Sequence, residues 1–268
     1  IDGKATNLAL GWALGIGSPQ IFETTMEKEY VSDIFGERAI LLGGIHGIVE
    51  YLFRKYIKGY GFYDSYNRSV TYLVNGLSKN ISKNGLLSIY YGMTDENKEI
   101  FNEYYSKGYS ISKPLYEEIY EEVKSGNEIR SVILNSDKPM GEISGSRMWR
   151  GAKNKNYLKN IEDARTAGLY IGSMMAQVDI LIDNGHNYSE IINESIIEAV
   201  DSLNPYMLEN GISHMIDNCS TTARLGARKW ACRLDYLLEQ NMNEPYISRI
   251  EEFTSHPIHN IYKKIREL

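Results

Sequence analysis

The chain has 268 residues, of which 43% are hydrophobic and 24% charged, and its formal net charge is −6 at pH 7. This composition is typical of a globular protein, and the acidic balance argues against a nucleic-acid partner, which requires a basic patch or stripe. No apolar run reaches the length of a membrane-spanning helix, so no membrane partner is expected. The two cysteines, Cys219 and Cys232, do not predict a disulfide framework. No pattern of a signal or transit peptide follows Ile1.

Apolar residues recur with a helical period along nearly the whole chain, and alternating strand patterns are scarce, so we predict an all-α fold. The predicted helices cover residues 6–14, 32–56, 65–78, 95–106, 113–124, 164–184 and 188–203. The second of these is expected to begin near Ser32, as N-cap, or slightly earlier. The polar stretch 134–160 contains Gly and Pro and is the predicted loop or linker.

The two halves of the chain resemble each other. Residues 39–57 align with residues 168–185, placing Gly43 opposite Gly172. After three residues are removed at the turn, residues 63–73 align with residues 189–199. The identities are few, so the alignment leaves both a true duplication and a chance similarity open.

The alignment is informative where it fails, because acidic residues of one half face other residue types in the other half. The mismatched pairs are Asp33 with Glu162, Glu37 with Thr166, Glu194 with Arg68, and Glu198 with Tyr72. If the chain is duplicated, each repeat has kept a different half of an acidic site. One composite site would then combine the helix near residue 33 with the helix over 188–203.

Two groups of carboxylates have the spacing of a single helix face. Glu29, Asp33 and Glu37 are four residues apart, and so are Glu194 and Glu198. Four or five carboxylates that converge repel one another unless cations neutralise them. Oxygen ligands without Cys or His favour Mg²⁺ or Mn²⁺ over zinc. Two such ions about 3.5–4 Å apart, bridged by one carboxylate, could hold two oxygens of a small substrate.

Other interpretations of the acidic residues are open. Glu-x-x-x-Glu pairs are common on solvated helix faces, and Arg38 follows Glu37 and could neutralise it. The strongly apolar segments beside both acidic pairs favour a buried site instead. A di-iron bundle requires a Glu-x-x-His motif on each of two helices, and the sequence contains no such motif.

The remaining motifs indicate less chemistry. His46 lies in the small-residue stretch "GGIHG" and is interpreted as a packed, hydrogen-bonded histidine rather than a ligand. The stretch "GYGFYD" over 59–64 lacks the third glycine of a dinucleotide fingerprint and follows a helix. The stretch "DNCSTTARLGARKW" over 217–230 is either an ordinary helix cap or a segment that brings Ser220 to an anionic substrate.

Three long motifs resemble the carboxy-terminal domain of the ketol-acid reductoisomerases (acetohydroxyacid isomeroreductases) in their long, plant-type form. They are "EYVSDIFGERAILLGGIHGIVE", "GHNYSEIINESIIEAVDSLNP" and "DNCSTTARLGARKWA", and the resemblance begins at "IDGKATNLALGWALGIGSP". It implies an all-α, duplicated and knotted domain over 1–268, similar to the carboxy-terminal domain of 6-phosphogluconate dehydrogenase. General folding rules would not suggest a knot. The implied parts are repeat one over about 31–133, a linker over about 134–160 and repeat two over about 161–268.

The resemblance also implies an activity in branched-chain amino-acid biosynthesis. Such enzymes convert 2-acetolactate or 2-aceto-2-hydroxybutyrate to a 2,3-dihydroxy acid by Mg²⁺-dependent alkyl migration and NADPH reduction. The implied roles are Asp33 bridging two Mg²⁺ ions, Glu37 completing one metal shell and transferring protons, Glu194 and Glu198 binding the second metal and the substrate, Ser220 binding the substrate, and Glu29 supporting.

The sequence departs from the family pattern in one large respect. The NADPH-binding Rossmann domain, with the histidine and lysine that it contributes, has no counterpart in the 268 residues. The stretch 134–160 is also shorter than the plant-type pattern. We therefore expect this chain to supply the metal and substrate site of a complete enzyme. A non-catalytic helical scaffold or assembly module that kept the fold is the alternative.

Two further expectations follow from the resemblance. The family implies a homodimer formed through this helical domain. The location would be the plastid for a plant or algal source and the cytoplasm for a bacterial one.

Overall fold

The computed structural model describes residues 3–138, 141–142, 148–149 and 155–267. Within these ranges every regular element is helical, so the all-α prediction is confirmed. The predicted linker over 134–160 lies partly outside them. No helix in the described ranges combines the length and hydrophobicity needed to cross a bilayer.

The α-helices of the described ranges follow one another along the chain, joined by short turns and π-helical segments. They are α1 Ala5–Gly15, α2 Met26–Arg38, α3 Ile45–Tyr56, α4 Phe62–Tyr66, α5 Ser78–Asn84, α6 Leu86–Tyr91, α7 Asp95–Lys124, α8 Asn127–Asn135, α9 Ala164–Asp183, α10 Tyr188–Ile192, α11 Asn204–Asn210, α12 Ile212–Asn218, α13 Thr221–Asn241, α14 Ile250–Ser255 and α15 Ile258–Arg266. Three π-helical segments, Ile40–Gly44, Asn67–Leu77 and Asn193–Leu203, and a 3₁₀ turn at Lys155–Tyr157 complete the described elements.

The predicted helix over 32–56 is two helices with a π segment between them. α2 begins at Met26, where the Thr25 side chain accepts the Lys28 N–H at 3.2 Å. Ser32 is therefore buried inside the helix and is not its cap. A π turn closes its hydrogen bonds one residue further along the chain than an α turn. The 40–44 segment therefore changes the direction of the chain between α2 and α3.

The predicted helices over 95–106 and 113–124 are one continuous 30-residue helix, α7. Pro114 lies inside it and removes one backbone donor, a defect that usually ends or kinks a helix. Packing along α9 offsets this loss, for example where the Ser112 and Ser173 hydroxyls lie 2.8 Å apart on facing sides. Tertiary contact has overridden the local sequence signal.

Elements of the first half recur in the second after a shift of 126 residues. The pair α4 and π segment 67–77 matches α10 and π segment 193–203, from 62 to 188 and from 67 to 193. Glycines with positive φ follow at 85 and 211. Side-chain caps then start α7 at Thr94 and α13 at Ser220. This agreement in length and order supports a duplication.

The two halves exchange helices. α7 from the first half packs along α9, and α13 from the second half packs along α3. The contacts are close because glycines lie between the backbones: a Cβ added at Gly168 would lie 2.6 Å from the Phe101 carbonyl oxygen, and one added at Gly47 would lie 2.7 Å from that of Ala231. Both halves therefore share one core.

The first helix lies outside this core. None of the residues of α1 is buried, and Trp12 and Leu14 are 74% and 71% exposed. The helix therefore presents an apolar surface to solvent.

We expect Gly172→Ala to destabilise the fold strongly. The new Cβ would overlap the Tyr105 carbonyl oxygen, which is backbone and cannot move aside without separating α7 from α9. Overpacking of this kind typically costs about 1–3 kcal/mol, and a clash with backbone lies at the upper end of that range. Chemical denaturation of both chains measures the difference.

The matched control is Gly11→Ala, also a helical glycine, where no atom lies within 4 Å of the added Cβ. It should leave stability unchanged or raise it slightly. Equal stability of the two variants would contradict the close α7–α9 contact.

Candidate metal centre

α2 supplies the first half of the acidic group. Its apolar side carries Ile34 and fully buried Phe35 into the core. Glu29, Asp33 and Glu37 are spaced by one helical turn each and share the other side. Burial of one side of the helix thus fixes the direction in which these carboxylates point.

The π segment 193–203 supplies the second half, with Glu194 and Glu198. One buried amide, that of Gln177 in α9, ties this segment to the end of α2. Its oxygen accepts the Ile40 N–H at 3.0 Å, and its nitrogen donates to the Glu194 carbonyl oxygen at 3.1 Å and to the Ser195 hydroxyl at 3.0 Å. Gln177 thereby sets the spacing between the two acidic segments.

Carboxylates from distant parts of the chain meet as a result. Asp33, Glu194 and Glu198 each place one carboxylate oxygen within 4.8 Å of the other two. Glu194 is 5% exposed, and its Oε2 has no hydrogen-bond partner, while its Oε1 accepts from the Asn193 amide at 2.7 Å. A buried, unpartnered carboxylate oxygen is costly unless something cationic or a donor binds it.

Crowding and burial make these acids weak. Burial, with further repulsion from Glu194 and Asp33, raises the pKa of Glu198 to about 8. Burial raises the pKa of Glu194 to about 7, and Glu29 and Asp33 add to the shift. Burial also raises the pKa of Asp33, although Arg38 opposes it. The metal-free group therefore retains protons near neutral pH.

Glu37 lies beside this trio and is held by Arg38. Burial and the Asp33 carboxylate raise the pKa of Glu37 to about 7, against the opposing effect of Arg38. The Arg38 guanidinium donates to the Glu37 Oε2 at 3.1 Å and to the Thr222 hydroxyl at 2.8 Å. One oxygen of Glu37 is thus engaged in a hydrogen bond, while its charge still raises the pKa of Glu198.

Arg38 is itself fully buried and held from behind. Its Nε donates to Glu128 at 3.2 Å, and Glu128 also accepts from Lys229 at 2.7 Å and from the Trp230 indole at 3.2 Å. A Cβ at Gly226 would lie 2.7 Å from the guanidinium carbon, so only glycine leaves room there. The network fixes Glu37 to the start of α13.

Ser220 and Glu29 lie at the edges of the group. Ser220 is exposed and caps α13 by accepting the Ala223 N–H at 3.2 Å, in agreement with the helix-cap interpretation. The preceding residue, Cys219, is close enough to the group that Glu37 adds to the burial effect that raises its thiol pKa. Burial and repulsion from Asp33 raise the pKa of Glu29.

A second set of polar contacts, centred on Glu190, holds α2 and the residues just before it. Glu190 accepts from the Ser32 hydroxyl at 2.8 Å and from the Thr24 hydroxyl at 2.9 Å, and lies 2.7 Å from the His186 ring. Although burial alone would raise it, these hydrogen bonds lower the pKa of Glu190. Glu190 therefore anchors α2 to α10 as an ionised residue.

His46 is a packed histidine. It is 8% exposed, lies against the Trp149 ring, and places Nε2 3.4 Å from the Glu50 carboxylate. Its partners differ from those of the acidic trio. This placement agrees with the interpretation of His46 as a packed histidine, although its Nδ1 has no hydrogen-bond partner among the described residues.

The geometry fits hard divalent cations. The donors are carboxylate oxygens, as Mg²⁺ and Mn²⁺ prefer. Within the described ranges the Glu194 Oε2 has no hydrogen-bond partner, and Glu194 and Glu198 retain protons near neutral pH. The described part of the chain therefore supplies no cationic side chain that neutralises these two carboxylates. A cation would displace those protons and engage that oxygen.

Sequence comparison identifies related proteins. A family model described as "Ketol-acid reductoisomerase, C-terminal domain" matches residues 26–166 and, a second time, residues 162–255. The chain is 47% identical to the chloroplastic ketol-acid reductoisomerase of Spinacia oleracea, over 97% of the chain and 47% of the relative. It is 44% identical to that of Pisum sativum, over 100% of the chain and 50% of the relative. It is 29% identical to the mitochondrial enzyme of Saccharomyces cerevisiae, over 59% and 43%.

The chain therefore spans about half the length of the plant relatives it matches. Two successive matches to one domain model agree with the recurrence of elements after 126 residues, from 62 to 188.

We expect the metal-free chain to lose stability as the pH rises from 5 to 8.5. Glu198 and Glu194 hold protons in the folded state up to about pH 8 and 7, whereas their ordinary pKa is 4.5. The unfolded chain binds fewer protons in this window, so unfolding becomes easier as the pH rises. Mg²⁺ should raise the melting temperature at pH 8 and have little effect at pH 5.

Thermal melts of native chain and Glu198→Gln, each in chelator, measure this slope. The variant should show a smaller decline. The burial-lowered pKa of His259, about 4, acts in the opposite direction, but it is common to both chains. A melting temperature that rises equally with pH in both chains would contradict the shifted carboxyl groups.

Proposed function

Because the chain belongs to the ketol-acid reductoisomerase family, we propose that it is the metal- and substrate-binding domain of a ketol-acid reductoisomerase. The observation that carries the proposal is the group of Asp33, Glu194 and Glu198, whose carboxylate oxygens lie within 4.8 Å of one another. A scaffold that had lost its reaction would have no use for a buried carboxylate oxygen without a partner. The scaffold alternative is therefore disfavoured.

The proposed substrates are 2-acetolactate and 2-aceto-2-hydroxybutyrate. Alkyl migration requires that the substrate hydroxyl lose its proton while the neighbouring ketone is polarised. Two bound Mg²⁺ ions would supply this polarisation and would lower the pKa of the hydroxyl group. Asp33, Glu37, Glu194 and Glu198 would hold the two ions, and Glu194 and Glu198 would also contact the substrate oxygens.

Glu37 is the proposed proton-transfer group. Its pKa of about 7 in the metal-free chain lies in the range in which a carboxylate can accept and return a proton at neutral pH. Arg38 engages its Oε2 at 3.1 Å and so holds the carboxylate in one orientation. Its second oxygen would then act on the substrate. Glu29 would support the acidic group electrostatically.

Ser220 and the start of α13 are the proposed contacts for the substrate carboxylate or hydroxyl. α13 is 21 residues long, and its first backbone N–H groups favour an anion. The Arg38 contact to Thr222 places this helix start beside Glu37. The Ser220 hydroxyl would exchange its capping role for a substrate contact.

The reduction step is proposed to depend on NADPH bound by a nucleotide-binding domain, for which the plant relatives, about twice as long as the chain, have room. Relatives of the chain are named for NAD⁺ in Desulfosudis oleivorans and for NADP⁺ in Chloroherpeton thalassium. The proposed location is the plastid, since the plant relatives are chloroplastic.

We expect Mg²⁺ to bind the native chain and to bind Asp33→Asn at least about 100-fold more weakly, because even indirect support of a metal ligand is worth about 10–100-fold. Isothermal titration calorimetry at pH 8 measures this. In chelator, Asp33→Asn should melt at a higher temperature than the native chain, because one repelling charge has been removed.

The matched control is Glu27→Gln, which lies in the same helix but is exposed and outside the group. It should bind Mg²⁺ like the native chain. Loss of binding in neither variant, or in both, would rule out the proposed metal centre.

We also propose a homodimer. The exposed apolar residues of α1, among them Trp12 and Leu14, leave a surface that an assembled protein would cover. Sedimentation equilibrium at micromolar concentration should give twice the chain mass of 30.6 kDa. A single species of 30.6 kDa at all concentrations would contradict the dimer.

A further inference from the structure

The duplication predicts a second position related to the acidic group, and the π segment 40–44 determines which residues occupy it. Downstream of this segment, the structural counterpart of Gly172 is Gly47, a shift of 125 residues, and not Gly43 as in the sequence alignment. A Cβ added at Gly47 would meet the Ala231 oxygen and the Asp235 nitrogen. One added at Gly172 would meet the Tyr105 oxygen and the Tyr109 nitrogen, atoms of residues 126 positions earlier.

α9 has no π turn, and a π turn holds one residue more than an α turn. Upstream of the segment the shift is therefore 126, and Asp163 corresponds to Glu37, which the sequence alignment had placed opposite Thr166.

The other members follow from the shift of 126 that relates the two long π segments. Glu194 corresponds to Arg68 and Glu198 to Tyr72. Glu37, Glu194 and Glu198 of the acidic group thus have Asp163, Arg68 and Tyr72 as their counterparts.

The structure brings these counterparts together as it does the acidic group. The Arg68 guanidinium donates to the Asp163 Oδ2 at 3.3 Å, and the Thr166 hydroxyl donates to the Arg68 carbonyl oxygen at 2.9 Å. Asp163, Arg68 and Tyr72 line one cavity of about 160 Å³. The pair Asp163–Arg68 occupies the place of the pair Glu37–Glu194, with one charge reversed.

The opposite charges of Asp163 and Arg68 pair with each other, although the Arg68 Nε has no hydrogen-bond partner in the part of the chain that the structure describes. Asp163 is 7% exposed and also accepts the Tyr56 O–H at 2.7 Å and the Arg165 backbone N–H at 3.0 Å. The Arg68 guanidinium lies 4.4 Å from the centre of the Tyr60 ring. Burial, with the nearby Glu162 and Asp163, raises the pKa of Tyr72, so its phenol stays neutral.

We propose that the cavity lined by Arg68, Tyr72 and Asp163 is a cation-free copy of the metal centre, in which the Arg68 guanidinium takes the place of the divalent ion. It holds the end of one repeat against the start of the next without metal. The inference rests on the proposed metal centre at Asp33, Glu194 and Glu198. An Asp33→Asn background disables that centre, so the second cavity can be tested independently of it. The proposal predicts that restoring acidic residues at this cavity restores a requirement for cation.

The test uses the Asp33→Asn background, in which the first centre is disabled. To it are added Arg68→Glu and Tyr72→Glu, which restore the residue types of Glu194 and Glu198. The matched control carries Arg68→Gln and Tyr72→Gln at the same positions. Melting temperature is measured by circular dichroism in chelator and in MgCl₂ at about 10 mM, a concentration that saturates a weak site.

The expected result is a melting temperature that Mg²⁺ raises in the acidic variant but not in the glutamine control. An acidic variant that folds only in Mg²⁺ supports the proposal in the same way. An acidic variant that melts at the same temperature with and without Mg²⁺, or that stays unfolded in both, overturns it.

A count of bound ions gives a second readout on the chain with its natural residues. Mn²⁺ is titrated into native chain and into Asp33→Asn, and the free ion is measured by electron paramagnetic resonance. The proposal expects Asp33→Asn to lose all tight binding. Tight binding that persists in Asp33→Asn and disappears on adding Asp163→Asn would place an ion in the second cavity and overturn the proposal. If Mn²⁺ fails to bind even the native chain, the proposed metal centre fails, while the melts still test the copy.

Discussion

Repulsion between crowded carboxylates is the constraint on which the rest of this structure depends. Asp33, Glu194 and Glu198 lie within 4.8 Å of one another, with Glu194 buried and the other two half-buried, so water screens their like charges only in part. The groups that position these three residues do not neutralise them. The Gln177 amide binds backbone atoms of Ile40 and Glu194, and Arg38 binds the neighbouring Glu37. The fold therefore carries the cost of this repulsion, which the proposed cation would relieve.

Part of the site could be predicted from sequence because it depends on local periodicity. Residues four apart share one face of any helix, so the spacing of Asp33 and Glu37, and of Glu194 and Glu198, is enough to predict that each pair lies together. This also holds in the π segment that carries Glu194 and Glu198. The supporting residues could not be found in this way. The Arg38 contact to Glu128 joins positions 90 residues apart. Gln177 offered a signal, since it is a lone amide in an apolar run, but its partners depend on tertiary packing.

The fold divides in the same manner. Helical periodicity correctly indicates an all-α chain, but the continuity of α7 through Pro114 depends on α9, which lies in the other half. The sequence predicts ordinary helices where the structure has the π segments 67–77 and 193–203, because a wider turn changes hydrogen bonding more than it changes hydrophobic spacing. Their equal lengths nevertheless make the duplication clearer in three dimensions than in the aligned residues.

The exchange of helices has a consequence for biosynthesis. α7 leaves the ribosome before α9, against which its glycine-lined contact is made, has been translated. Domains that depend on such distant pairings fold slowly and expose apolar surface while they wait. The nascent first half must therefore avoid aggregation, with the help of chaperones, until the second half has been translated and can complete the core.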